Sequence, residues 1–206
     1  MAKRISKEEE KDEVLILTNG KDSEQNYFNL MKSKYISPYK IKVTFLNGAP
    51  DYLVRHAIDI VNKYNKIFVV TDVDQFQKSI EYSYNLIKRY KNKIFLILSN
   101  ISFEVWLINH YRRFNNYAIQ NTLEQDLTAY LKSLGYIGQY DKTDTEQLEK
   151  YFINNLLTAA SNAKVAFQLL IKEYKLINGK EPMPLELISS TMIYRVVDEL
   201  HLEKKK

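Results

Sequence analysis

The sequence predicts an α/β fold: a parallel sheet of about four strands with flanking helices, followed by a C-terminal helical region. Three observations carry that prediction. Four short apolar runs closed by turn residues recur through the first hundred positions, segments of helical spacing separate them, and no further convincing strand follows residue 100. Alternation at this spacing is what βαβ units require, and right-handed crossovers then place helices on both faces of the sheet.

Each element has its own signal. Residues 1–12 form a charged lead-in. Val14-Leu15-Ile16-Leu17, closed by Thr18-Asn19-Gly20, is a continuous apolar run suited to a strand buried on both faces. Tyr27, Phe28, Leu30 and Met31 give helical spacing over 24–34, and the β-branched alternation of 41–46 gives a second strand. Asn47-Gly48-Ala49-Pro50-Asp51 breaks that strand, and an amphipathic helix is predicted over 52–64. The third strand, 66–71, runs into Asp72-Val73-Asp74. A helix over about 75–90 leads to a fourth strand, 93–98, which ends at Ser99-Asn100. Helices are predicted over 101–115, 122–134, 144–174 and 185–201, separated by the Gly-containing 135–143 segment and by Pro182-Met183-Pro184. Residues 13–206 read as one folded unit, an α/β core over 13–115 and a helical region over 116–206.

Composition narrows the function classes. Among 206 residues there is no cysteine, which excludes disulfides and Cys-ligated zinc, and the three histidines, His56, His110 and His201, lack metal-binding spacing. The charged N-terminus lacks the apolar core of a signal peptide, and no segment approaches a membrane span, so a cytoplasmic location is expected. Thirty Lys and Arg against 25 Asp and Glu leave a net charge of +5, a mild excess compatible with a polyanionic partner. Lys88, Arg89, Lys91 and Lys93 cluster, as do Arg112 and Arg113, either as a nucleic-acid track or as solvated helix ends.

Polar clusters fall at three predicted strand ends: Asn19-Gly20 with Asp22 and Glu24, Asp72-x-Asp74, and Ser99-Asn100 with Glu104. In an open parallel sheet, ligands bind outside the carboxyl ends of the strands. Asp72 and Asp74, two apart in an extended segment, can project to one side and present oxygen ligands to Mg²⁺ or Mn²⁺. The alternative is structural: Asp74 as an N-cap for the following helix, with Asp72 in the turn. Glu104 reads either as a complement to its helix dipole or as a further ligand or general base. His110 shares a face with Phe103, Trp106 and Phe114, the setting of a packed core histidine.

These residues also carry a resemblance. LILTNGKDSEQNYF (15–28), FVVTDVDQF (68–76) and ILSNISFEVWLINHY (97–111) resemble motifs of the RloB/AbiLii family, with looser matches at YDKTD (140–144) and around 196–200. The resemblance implies a Toprim-like sheet, a divalent metal and a nucleic-acid substrate, DNA or RNA. It implies a nuclease acting as the effector of a bacterial anti-phage or abortive-infection system with an ABC-type ATPase partner, in an oligomer or complex. Carried over by position, Asp72 and Asp74 form the metal pair, Glu104 is a further acidic ligand, and Lys142 stabilises transition-state charge. The glutamate expected beside Gly20 is here Asn19, whose amide oxygen can ligate a metal but cannot act as a base. Glu24 compensates if its turn brings it inward. Otherwise the chain is a catalytically impaired binding or scaffold subunit; a nucleotide-binding role is a third reading.

Overall fold

The computed structural model describes residues 12–74, 76–114 and 119–205. Residues 1–11 of the predicted 1–12 lead-in, Gln75 and the end of the predicted 101–115 helix lie outside them. The chain runs β1 (Glu13–Thr18), α1 (Asn26–Lys34), β2 (Tyr35–Ile36), β3 (Lys40–Phe45), α2 (Pro50–Asp59), β4 (Lys66–Asp72), α3 (Gln77–Ile87) and β5 (Ile94–Asn100). It continues through α4 (Glu104–Ile108), α5 (Gln120–Ser133), α6 (Thr145–Gln147), α7 (Leu156–Asn178), β6 (Ser190–Thr191), α8 (Tyr194–Glu199) and β7 (Glu203–Lys204).

The α/β prediction holds: a five-stranded, mostly parallel sheet in the order β3-β1-β4-β5-β6 is flanked by helices and followed by a helical region. β1, β4 and β5 are the continuous apolar runs, and Val14 to Leu17, Ile67 to Val70 and Leu96 to Leu98 are nearly inaccessible. A strand covered on both faces has no solvent side, so its sequence shows no alternation. β3 is an edge strand, and of its side chains only Ile41 is buried, which is why its sequence alternates.

The C-terminal half is less uniformly helical than its sequence suggests. β6 pairs antiparallel with the end of β5, Ser99 opposite Thr191 and Asn100 opposite Ser190, and β7 pairs with β2. Two-residue strands bury too little to leave a periodic signal, so the predicted 185–201 helix shrinks to α8. The predicted 144–174 helix is interrupted over 148–155 by π and 3₁₀ turns. There the Tyr35 hydroxyl donates to the Ile153 carbonyl at 2.9 Å, engaging an acceptor that a regular helix would use. The predicted 101–115 helix keeps only α4. The Asn109 amide donates back to the Val105 carbonyl at 2.7 Å, and its oxygen accepts from the Phe114 N–H, competing with the backbone ladder. No helix among the described residues is long and apolar enough to cross a membrane.

His110 is a core residue, as its apolar face predicts. Tyr27 meets Phe103, Trp106 and His110 edge-on at 5.5–6.1 Å. His110 Nδ1–H donates to the Trp106 carbonyl at 3.1 Å, leaving Nε2 to accept from the Tyr27 hydroxyl at 2.8 Å. Burial pushes its pKa down from 6.5 to about 4. A depressed histidine contributes stability that is fully present above pH 6.5 and is lost as pH falls towards 4. The loss amounts to about 3 kcal/mol. Denaturant unfolding of the protein and of His110→Gln is expected to show a stability gap that narrows by about that amount between pH 7 and pH 4. A gap independent of pH would mean that His110 is not held neutral.

Candidate functional site

The strand order reverses between β1 and β4. The chain leaves β1 for β3 on one side, then crosses back to β4 on the other, so a crevice opens at the carboxyl ends of β1 and β4. Register sets the depth of that rim. Thr18 lies opposite Val70, and Asp72 lies opposite Ser99. The residues just past β1 therefore share a level with the ends of β4 and β5.

Glu24 enters from the β1 side. The chain leaves Gly20 into a π turn over Lys21–Gln25, closed by the Gln25 N–H donating to the Gly20 carbonyl at 3.1 Å. This turn folds the Glu24 side chain back over Gly20. A Cβ on Gly20 would stand 1.5 Å from Glu24 Oε2, so only glycine leaves room for the carboxylate. Glu24 is 3% exposed, and the Ser23 hydroxyl donates to its Oε2 at 2.5 Å. Burial and the Glu104 charge raise its pKa, opposed by the Ser23 bond and by Lys142. The inward turn that the sequence left open is present.

Asp72 ends β4 and Asp74 follows. Burial is the main force raising the Asp72 pKa well above the usual carboxylate range; the Glu24, Glu104 and Asp74 charges add to it, and a Phe103 backbone hydrogen bond opposes it. Asp74 is exposed and adopts φ 28°, sparsely populated for a residue with a Cβ. α3 begins only at Gln77, with Phe76 before it and no side-chain cap. Asp74 is therefore not the helix cap that its position suggested.

Glu104 opens α4, 4% exposed, and accepts a hydrogen bond from the Tyr140 hydroxyl at 3.1 Å. Burial and the Glu104 charge push the Tyr140 pKa well above 10, so the phenol remains a proton donor to that carboxylate. Asp72, Asp74, Glu104 and Lys142 line one pocket of about 290 Å³, with Ser23, Ser102 and the α5 residues Gln120 and Glu124. Glu24 lies near enough for the Asp72, Glu104 and Lys142 charges to act on it. Acidic groups from three separate βα connections thus converge, with one lysine among them.

Other sequence candidates serve elsewhere. Asn19 does not line the pocket, although its Oδ1 is enclosed without a hydrogen-bond partner just past β1. Asn100 donates to the Leu185 carbonyl, and Ser99 bonds Thr191, so this pair fastens the C-terminal segment. Arg112 is paired with Asp126, and Asp198 and Glu199 pair with Lys164 and Lys66. Sequence reasoning missed Tyr140, Glu124 and Gln120. Tyr140 stood within the YDKTD stretch and was legible there; the α5 pair, spaced like any solvated face, was not.

A divalent cation suits this rim in donor chemistry. Mg²⁺ and Mn²⁺ take oxygen ligands, and mutually repelling carboxylates are what such an ion would satisfy. As positioned, no group of three or more His, Asp or Glu among the described residues is close enough to hold a metal ion. Binding would therefore have to draw these side chains inward.

Fold and rim together define an α/β protein with an acidic pocket at the switch point of a parallel sheet. The chain belongs to the RloB-like protein family, whose model matches residues 14–200. No curated protein and no solved structure matches it.

Proposed function

We propose that the chain is a metal-dependent nuclease on DNA or RNA, the effector of a bacterial anti-phage or abortive-infection system, held in check by an ABC-type ATPase partner. One observation supports the chemistry above all: Asp72, Asp74, Glu104 and Lys142 line one pocket from separate connections, and Glu24 lies near enough for its charge to act on Asp72. The effector role and the ATPase rest on the RloB/AbiLii resemblance.

In this reading Asp72, Asp74 and Glu104 hold Mg²⁺ or Mn²⁺, with the Asn19 oxygen as a candidate neutral ligand. The ion supplies charge neutralisation at a phosphodiester oxygen and a lowered pKa for water. Lys142, exposed at the pocket mouth, donates to a non-bridging phosphate oxygen and offsets charge developing there. The Tyr140 hydroxyl fixes the Glu104 carboxylate. Glu24, whose pKa is raised by burial, is a better proton acceptor than a solvated glutamate.

Incubation with single-stranded and duplex DNA and RNA and Mg²⁺ or Mn²⁺ is expected to give cleavage, and Asp72→Ala is expected to abolish it. Equal cleavage by both proteins would remove this site. A catalytically impaired binding subunit is the second reading. Asn19 in place of the expected glutamate favours it. Asn19→Glu separates the two: under the first reading it raises cleavage above an already measurable level, whereas cleavage appearing only in the variant would assign the natural chain to the second.

A further inference from the structure

A second cavity lies away from the acidic rim, at the other end of β5. It encloses about 620 Å³ between the end of α3, the start of β5, the 182–184 segment and α8. Among the described residues, three cations line it, Lys88, Lys91 and Arg195, and no acidic residue does. Among the described residues none of the three is within ion-pair distance of a carboxylate.

The wall between these charges is apolar. Phe95 stacks on Phe68 at 5.3 Å, and the Arg195 guanidinium lies 6.0 Å from the Phe95 ring. β6 covers β5 only at Ser99 and Asn100; Ile94, Phe95 and Leu96 border the cavity, and of these Phe95 alone is partly exposed. Tyr84, also in the wall, has an enclosed hydroxyl without a hydrogen-bond partner. An enclosed polar group of this kind is costly unless something pairs with it. Cations without counter-ions, a flat apolar wall and an orphaned hydroxyl together call for a ligand with an anionic end and a flat, partly polar body.

We propose that this cavity binds a nucleotide: Lys88, Lys91 and Arg195 take its phosphates, and the Phe95 and Met183 wall takes its base. The volume lies within the range of small-molecule sites. Separation from the acidic rim makes it a second site, independent of whether the first cleaves anything. A free nucleotide and the phosphorylated end of a nucleic-acid strand share this chemistry.

Calorimetric titration of the full chain with ATP in EDTA, which removes metal-dependent binding at the rim, tests it. Saturable binding is expected, weakened at least tenfold by Arg195→Ala and by Lys88→Ala/Lys91→Ala, as loss of charge-assisted hydrogen bonds would do. Asp72→Asn is expected to leave it unchanged. Adenosine and inorganic triphosphate are each expected to bind at least tenfold more weakly than ATP. A 5′-phosphorylated oligonucleotide that displaces ATP and binds more tightly would assign the site to strand ends; one that fails to displace it, to the free nucleotide. Absence of ATP binding at millimolar concentration, triphosphate binding as tight as ATP, or ATP affinity indifferent to Arg195→Ala in a folded variant would overturn the proposal.

Discussion

Asp72→Asn is expected to make the metal-free protein more stable while removing cleavage. The Asp72 carboxyl has its pKa raised by burial and by the Glu24, Glu104 and Asp74 charges, so at neutral pH its ionised form is an expense to the fold. A group whose folded pKa lies above its unfolded value stabilises below the unfolded pKa, and that stability is lost as pH rises through the folded pKa. The isosteric amide deletes the repulsion. Relief of about 1 kcal/mol corresponds to a melting temperature roughly 2–4 °C higher for a chain of this size. Under the proposed function, activity is expected to move the other way, falling about a thousandfold or more with loss of the proposed metal ligand. Mg²⁺ is expected to raise the melting temperature of the natural chain but not of the variant. A variant less stable than the parent in EDTA would show that Asp72 is structural.

Gly20→Ala is expected to inactivate the protein without unfolding it. Gly20 has φ −100° and ψ 119°, which alanine adopts freely, so no backbone strain is involved. The conflict is with one side chain: the new methyl would occupy the place of the Glu24 carboxylate, 1.5 Å from Oε2 and 2.2 Å from Cδ. Glu24 must swing out of the rim, and if it acts as the proposed function has it, displacement by an ångström or more costs about a hundredfold in rate. Glu24→Gln is expected to show a comparable defect, and the double variant no further loss, because both changes remove the same group. Additive losses in the double variant, or full activity in Gly20→Ala, would detach Glu24 from the chemistry.

Legibility in the sequence followed burial. β1, β4 and β5 were readable because covering both faces of a strand demands unbroken apolar runs, and the Asp72-x-Asp74 pair was readable because it interrupts such a run. The helix breaks were not, since they depend on single distant side chains. The Tyr35 hydroxyl at Ile153 and the Asn109 amide at Val105 cannot be seen in periodicity. The rim divides in the same way. Asp72, Asp74, Glu104 and Lys142 were named from strand ends and motif position, and they share a pocket. Glu24 was named with its orientation open, because a π turn has no sequence signature; the glycine four residues before it is the trace it leaves. Asn100 shows the opposite failure. A polar residue at a strand end reads as functional, but here its amide is spent on the Leu185 carbonyl.

Titration of the metal-free protein with Mn²⁺, followed by calorimetry, bears most directly on whether these carboxylates act together. Saturable binding is expected in the natural chain and at least tenfold weaker binding in Asp72→Asn, as loss of one charged ligand implies. No saturable Mn²⁺ binding, or equal affinity in the two proteins, would contradict a shared cation site on this rim.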